Sequence, residues 1–197
     1  MAYESINFDN LLGMKGFSDK LLQNHFKLYQ GYVANTNKLI DTLKKMLDDG
    51  NTSSPEFAEL KRRLGWEFNG MRLHELYFGN MSKENKEIGD DSPLYKKMLE
   101  TFGTGQKCED DFKAAGAMRG IGWVIMYYDK VADKLFNTWI NEHDAGHFSG
   151  CIPLLVMDVF EHAFITDYGL DRKSYIEVFI KAIDWNAVAR RFEAAKV

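Results

Sequence analysis

The chain has 197 residues, 45% hydrophobic and 27% charged; it is long enough for one large or two small packed units, and its composition excludes a disordered protein. A net charge of −4 gives no general basic surface for nucleic-acid phosphates, and no apolar run reaches the roughly 18 residues needed to span a bilayer. MAYESINFDN at the start has no basic stretch followed by an apolar core, and Cys108 and Cys151 make no disulfide framework, so the chain reads as cytoplasmic with two buried thiols. Aromatic residues reach 14%, which points to a heavy core or a site walled by large rings.

Apolar residues between Asp19 and Asp49 recur at three- and four-residue spacing through Leu21, Leu22, His25, Leu28, Tyr29, Tyr32, Leu39, Leu43 and Leu47. This predicts a helix started by Ser18 and Asp19 and stopped by Asp49-Gly50-Asn51. Ser53-Ser54-Pro55-Glu56 opens a second helix with Phe57, Leu60, Leu64, Phe68, Met71, His74 and Phe78 on one face. The N-terminal unit is therefore an antiparallel helical hairpin. The polar stretch 80–92 is the best boundary, dividing a helical domain, 1–88, from an α/β domain, 89–197. Short helices are predicted over 93–102 and 106–117, strands over 120–128, 135–140 and 151–159, and closing helices over 161–168, 171–182 and 184–195. The fold class is α+β, the hairpin being followed by an α/β part with a small three-stranded antiparallel sheet.

Five histidines carry the chemical interest: His25, His74, His143, His147 and His162. A single histidine on an apolar helix face is most often a hydrogen-bonded core residue. His25 and His74, however, lie on the stripes of two helices that should pack together. Asp158 sits in the otherwise apolar run Ile152–Phe160, where an isolated carboxylate costs several kcal/mol unless it is paired or bound to a metal. His162 follows four residues later, so both side chains can face one point if the chain turns near Asp158; an acid capping the next helix is the other reading. Neutral imidazole suits iron, zinc, copper and nickel, and the one carboxylate broadens the choice toward manganese and iron. No histidine has a Glu three residues before it, and His74-Glu75-Leu76-Tyr77-Phe78 lacks the second histidine of a zinc protease motif. His143 and His147 have ligand spacing, but Gly146 and their polar neighbours argue for a loop.

On these residues the chain resembles the iron/manganese superoxide dismutase family over nearly its whole length. Asp158-Val159-Phe160-Glu161-His162-Ala163-Phe164 is similar to the family's aspartate-valine-tryptophan-glutamate-histidine-alanine-tyrosine, with Phe160 and Phe164 replacing its tryptophan and tyrosine. Tyr168, Arg172, Tyr175, Phe179 and Asp184-Trp185 fall at the family's spacing, as does Tyr32-Val33-Ala34-Asn35-Thr36-Asn37. The resemblance implies one iron or manganese ion per subunit, iron being favoured and use of either metal allowed, held by His25, His74, Asp158 and His162. It implies disproportionation of superoxide to oxygen and hydrogen peroxide, with Tyr32 as a gateway and Arg172 steering the anion. It further implies a homodimer, able to stack into a tetramer, in which Glu161 touches His162 of the partner subunit and fixes its tautomer. Neither nucleic acid nor membrane is an expected partner.

The chain also departs from the family pattern. His25 and Tyr32 are seven residues apart where the family usually has eight, so a π-bulge is expected to be missing. Leu28 and Ile165 stand where a histidine and a partner-subunit tyrosine commonly form a polar pair, and Phe78 and Phe160 replace tryptophans. The family's glutamine is absent from both of its places, occupied here by Gly70 and by Glu142-His143-Asp144. His143, fifteen residues before Asp158, is expected to take over its role of bonding the solvent at the metal, in preference to His147. Two other readings compete: a metal-binding homologue with peroxidase-like or weak dismutase activity, and an interaction protein without enzyme function. Retention of Asp158 argues against the latter, since an unused buried carboxylate only costs stability.

Overall fold

Serine caps start both long helices. In the computed structural model, which describes residues 2–84 and 87–196, α1 (Asp19–Asp48) begins where Ser18 Oγ accepts the Leu21 N–H at 3.1 Å. Ser54 Oγ accepts the Phe57 N–H at 3.1 Å to start α2 (Pro55–Phe78), with Pro55 in the first turn. The hairpin buries Leu21, Leu22, His25, Tyr29, Tyr32 and Val33 of α1, and Met71, Leu73, His74, Tyr77 and Phe78 of α2. The predicted stripe fades toward the hairpin tip, where the helices pack chiefly on each other: Leu47 is 61% exposed, and Leu60 and Leu64 are only half-buried.

The α/β part follows as α3 (Pro93–Phe102), α4 (Gly105–Gly116), β1 (Gly122–Asp129), β2 (Lys134–Asn141), β3 (Ile152–Asp158), α5 (Ile165–Tyr168), α6 (Arg172–Lys181) and α7 (Trp185–Lys196). The sheet is antiparallel in the order β2-β1-β3, with β1 buried from Gly122 to Tyr128. Its register sets Trp123 opposite Ile140 on one side and Asp158 on the other. β3 is an edge strand, which lets it carry Pro153 beside a register shift at Met126/Tyr127. Gly122, at φ 143°, is required by close approach: a Cβ there would lie 1.9 Å from the Ile140 carbonyl oxygen.

Two expectations need correction. The helix predicted over 161–168 is a 3-10 turn, Glu161–Ala163, followed by the separate single turn of α5. The break falls at Phe164 (φ −143°, ψ −22°), whose ring is buried against Tyr175 at 5.5 Å, so core packing overrides local helix preference. Cys151 is half-buried, whereas Cys108 is buried as expected. Among the described residues no helix is long and apolar enough to cross a membrane.

The polar stretch 80–92 is tied down at its start: Asn80 and Met81 are buried and Met81 bridges to Ile183; residues 85 and 86 lie outside the described residues. Asn80 offers Val156 a side-chain amide in place of a neighbouring strand, Nδ2 donating to the Val156 carbonyl at 3.2 Å and Oδ1 accepting its N–H at 2.9 Å. The Arg191 guanidinium donates to the carbonyls of Leu154 at 2.7 Å and Leu76 at 3.0 Å, joining β3 to the end of α2. Burial pushes Arg191 down to about 10. Arg191→Met keeps the bulk of the side chain but strands both carbonyls, and should cost roughly 1–3 kcal/mol in urea unfolding. Wild-type stability in that variant would contradict the clamp.

Candidate metal centre

Four elements each deliver one donor: α1 gives His25, the end of α2 His74, the last residue of β3 Asp158, and the 3-10 turn His162. Their ligating atoms all lie within 4.8 Å of one another. The Nε2 atoms of His162, His25 and His74 are 3.0, 3.1 and 3.7 Å from the same oxygen, Asp158 Oδ2. The other oxygen accepts the Phe160 N–H at 2.8 Å, and the Tyr175 hydroxyl donates to the Asp158 carbonyl at 2.6 Å, so the aspartate is aimed from both ends.

Burial alone would raise the Asp158 carboxyl, but the His162 and His25 imidazoles outweigh it and hold it well below the usual carboxylate range. His25 and His74 are pushed down by burial, which leaves them neutral. His74 Nδ1–H donates to the Gly70 carbonyl at 2.5 Å, so the Nε2 of this neutral ring is a bare lone pair. That buried atom has no hydrogen-bond partner and faces the Asp158 oxygen. Two acceptors held face to face repel unless a cation lies between them. The donor set therefore fits a metal ion, and its imidazole and carboxylate chemistry fits iron or manganese.

Beside the donors, Tyr32 and His143 come together. α1 is α-helical throughout, without a π-bulge, so Tyr32 falls two turns after His25 on the same face and stacks on His74 at 5.2 Å. The Trp123 indole N–H donates to His143 Nδ1 at 3.0 Å, which places the imidazole proton on Nε2. That Nε2–H donates to the Tyr32 oxygen at 2.8 Å. Burial pushes His143 down to about 4, so it is neutral near pH 7. Phe160 stacks on His143 at 4.7 Å and on His162 at 5.2 Å.

His147 has a different place. Tyr127 donates to its Nδ1 at 2.6 Å and its Nε2–H reaches the His143 carbonyl at 2.8 Å, so it braces the loop that carries His143. Arg172 donates to the carbonyls of Met118 at 2.7 Å and Gly120 at 2.8 Å, with its guanidinium over the Phe164 ring. It is not bonded to any of the four donors. Leu28 and Ile165 are 37% and 48% exposed. Sequence reasoning does not single out Trp123 for this site, because its place opposite Asp158 exists only in the register of β1 against β3.

Three imidazoles and one carboxylate, brought together by a helical hairpin and a small antiparallel α/β part, form a cluster that could hold one metal ion, the arrangement of a histidine–carboxylate metalloprotein. The sequence profile described as iron/manganese superoxide dismutases, C-terminal domain, matches residues 90–191. A superoxide dismutase (Fe) of Aquifex pyrophilus is 36% identical over 187 residues, covering 92% of this chain and 87% of its own. Superoxide dismutase (Mn) 2 of Haloferax volcanii is 33% identical over 178 residues, covering 89% and 86%, and a superoxide dismutase (Fe) of Pyrobaculum aerophilum is 29% identical over 174 residues, covering 87% and 82%. The chain belongs to the iron/manganese superoxide dismutase family.

Gly70 is where the site leaves no room. A Cβ there would lie 2.6 Å from Tyr32 Cδ1, inside any real contact. Gly70→Ala should push the phenol off His143 and cost about 1–3 kcal/mol in thermal unfolding; an unshifted midpoint would show that the ring has slack.

Proposed function

We propose that the chain is a superoxide dismutase, converting superoxide to oxygen and hydrogen peroxide at one iron or manganese ion held by His25, His74, Asp158 and His162. The observation that carries this is the bare, buried Nε2 of His74 facing Asp158 Oδ2, with the other two imidazoles converging on the same oxygen. An iron or manganese ion held by these four side chains would supply the one-electron couple that the disproportionation needs, superoxide being both the reductant and the oxidant. Three neutral imidazoles and one carboxylate contribute a single negative charge, so the site stays attractive to an anion in the trivalent state. The division of the chain at 1–88 and 89–197 fits this reading, because two donors come from each side.

The expected role of His143, bonding the solvent at the metal, is proposed here to run through Tyr32, because Trp123 and Tyr32 take both of its ring nitrogens; the pair manages a proton next to that site. Trp123 fixes His143 as a donor from Nε2 to the Tyr32 oxygen, which leaves the proton of Tyr32 free to be given to a neighbouring acceptor. Arg172 donates to two neutral carbonyls, those of Met118 and Gly120, which hold its guanidinium in place without cancelling its charge, and that charge can draw superoxide inward. Iron is the metal we favour, in a cytoplasmic homodimer that can stack into a tetramer, with Glu161 reaching His162 of the partner subunit. A second reading, peroxidase-like or weak dismutase activity, draws on apolar Leu28 and Ile165 where the family commonly has a polar pair.

Asp158→Ala should lose tight metal binding and activity together; a full complement of metal with normal turnover would rule out the assignment. His143→Ala should retain metal and lower superoxide turnover roughly 10–100-fold, with His147→Ala changing it far less. The reverse order would exchange their roles. Glu161→Ala should weaken subunit association in analytical ultracentrifugation, and an unchanged association constant would remove Glu161 from the interface. Hydrogen peroxide consumption measured alongside superoxide decay separates the two activities.

A further inference from the structure

Glu142 has φ 50°, one of two non-glycine residues at positive φ among the described residues. An L side chain in that region is strained, and strain persists only where surrounding contacts hold it. Those contacts are visible. The Glu142 N–H reaches the Ile121 carbonyl at 3.3 Å, and Asn141 and Ala145 exchange N–H to carbonyl bonds at 2.9 and 3.2 Å across the loop. The Glu142 carboxylate crosses to the hairpin and accepts the Trp66 indole N–H at 3.1 Å.

The same indole walls both members of the Tyr32–His143 pair. Its ring meets His143 edge-on at 4.5 Å and Tyr32 at 5.5 Å. Arg63 covers it from behind with its guanidinium 3.7 Å from the ring centre, and is itself held by the buried Glu67 at 2.9 Å. His143 is therefore gripped from the sheet by Trp123 and from the hairpin side by Trp66, while the residue just before it is tied to Trp66. We infer that Trp66 and Glu142 are positioning residues: their hydrogen bond locks the strained step before His143 and so sets His143 on Tyr32. The inference rests on the reading of Tyr32 and His143 given above, since only then does their placement affect turnover.

The test uses the metal-loaded full chain, with hydrogen exchange of segment 141–147 followed by mass spectrometry and superoxide turnover measured on the same preparations. Trp66→Phe and Glu142→Ala should each speed exchange in that segment by about fivefold, the scale of one lost hydrogen bond, and lower turnover by a similar factor. The double variant should be no worse than either single one, because both remove the same bond. Glu142→Gln keeps an acceptor and should recover most of what Glu142→Ala loses. Glu142→Gly should unfold at or above the wild-type temperature yet still lose turnover, an outcome that a purely structural role would not give. If Trp66→Phe and Glu142→Ala match wild type in both measurements while His143→Ala is impaired, the tie is refuted and the role of His143 stands. If His143→Ala also turns over normally, the role of His143 fails, and exchange in 141–147 alone decides whether the tie exists.

Discussion

The Asp158 carboxylate is fully buried and ionised, at the end of an edge strand in the middle of the protein. Such a charge costs several kcal/mol unless it is compensated. The surroundings answer it with three imidazoles, one backbone N–H and, behind the strand, the Tyr175 hydroxyl on its carbonyl. This compensation is incomplete without a cation, because His74 spends its only proton on Gly70 and turns a lone pair toward the carboxylate. The same arrangement that is awkward for a protein without metal would favour a cation between the His74 nitrogen and the Asp158 oxygen.

Holding four donors from four elements requires the two parts of the chain to be locked in register. Asn80 and Arg191 do this at the root of the site by hooking the end of α2 onto β3, a few residues from His74 on one side and Asp158 on the other. The loop after β2 brings His143 in from a third direction. Its approach depends on two places where the fold leaves no space for a side chain: Gly122, against the Ile140 carbonyl, and Gly70, against the Tyr32 ring. Gly70 has a double use, since its carbonyl also sets the tautomer of His74.

Much of this is readable in the sequence, for reasons that can be located. The hairpin is encoded in two serine-capped periodic stripes, and the three strands in apolar runs between turn residues. Asp158 declares itself as a lone acid in an apolar strand. What could not be read depends on tertiary packing. Phe164 looks like the interior of a helix but breaks it, because its ring is needed in the core beside Tyr175. Leu47 continues the α1 stripe yet faces solvent, because periodicity does not say where the covering layer ends. Trp123 enters the site through strand register, and Arg172 is pinned to two carbonyls of the α4–β1 connection that no spacing rule points to.

The central claim is that these four side chains hold one redox ion that turns over superoxide. It is tested most directly by preparing the protein separately with iron and with manganese, measuring metal per chain by elemental analysis, and following superoxide decay by pulse radiolysis. The account predicts about one ion per chain and a catalysed decay whose rate scales with the content of the active metal. Protein that folds normally but takes up neither metal, or that holds one ion per chain and leaves superoxide to decay at the uncatalysed rate, would contradict it.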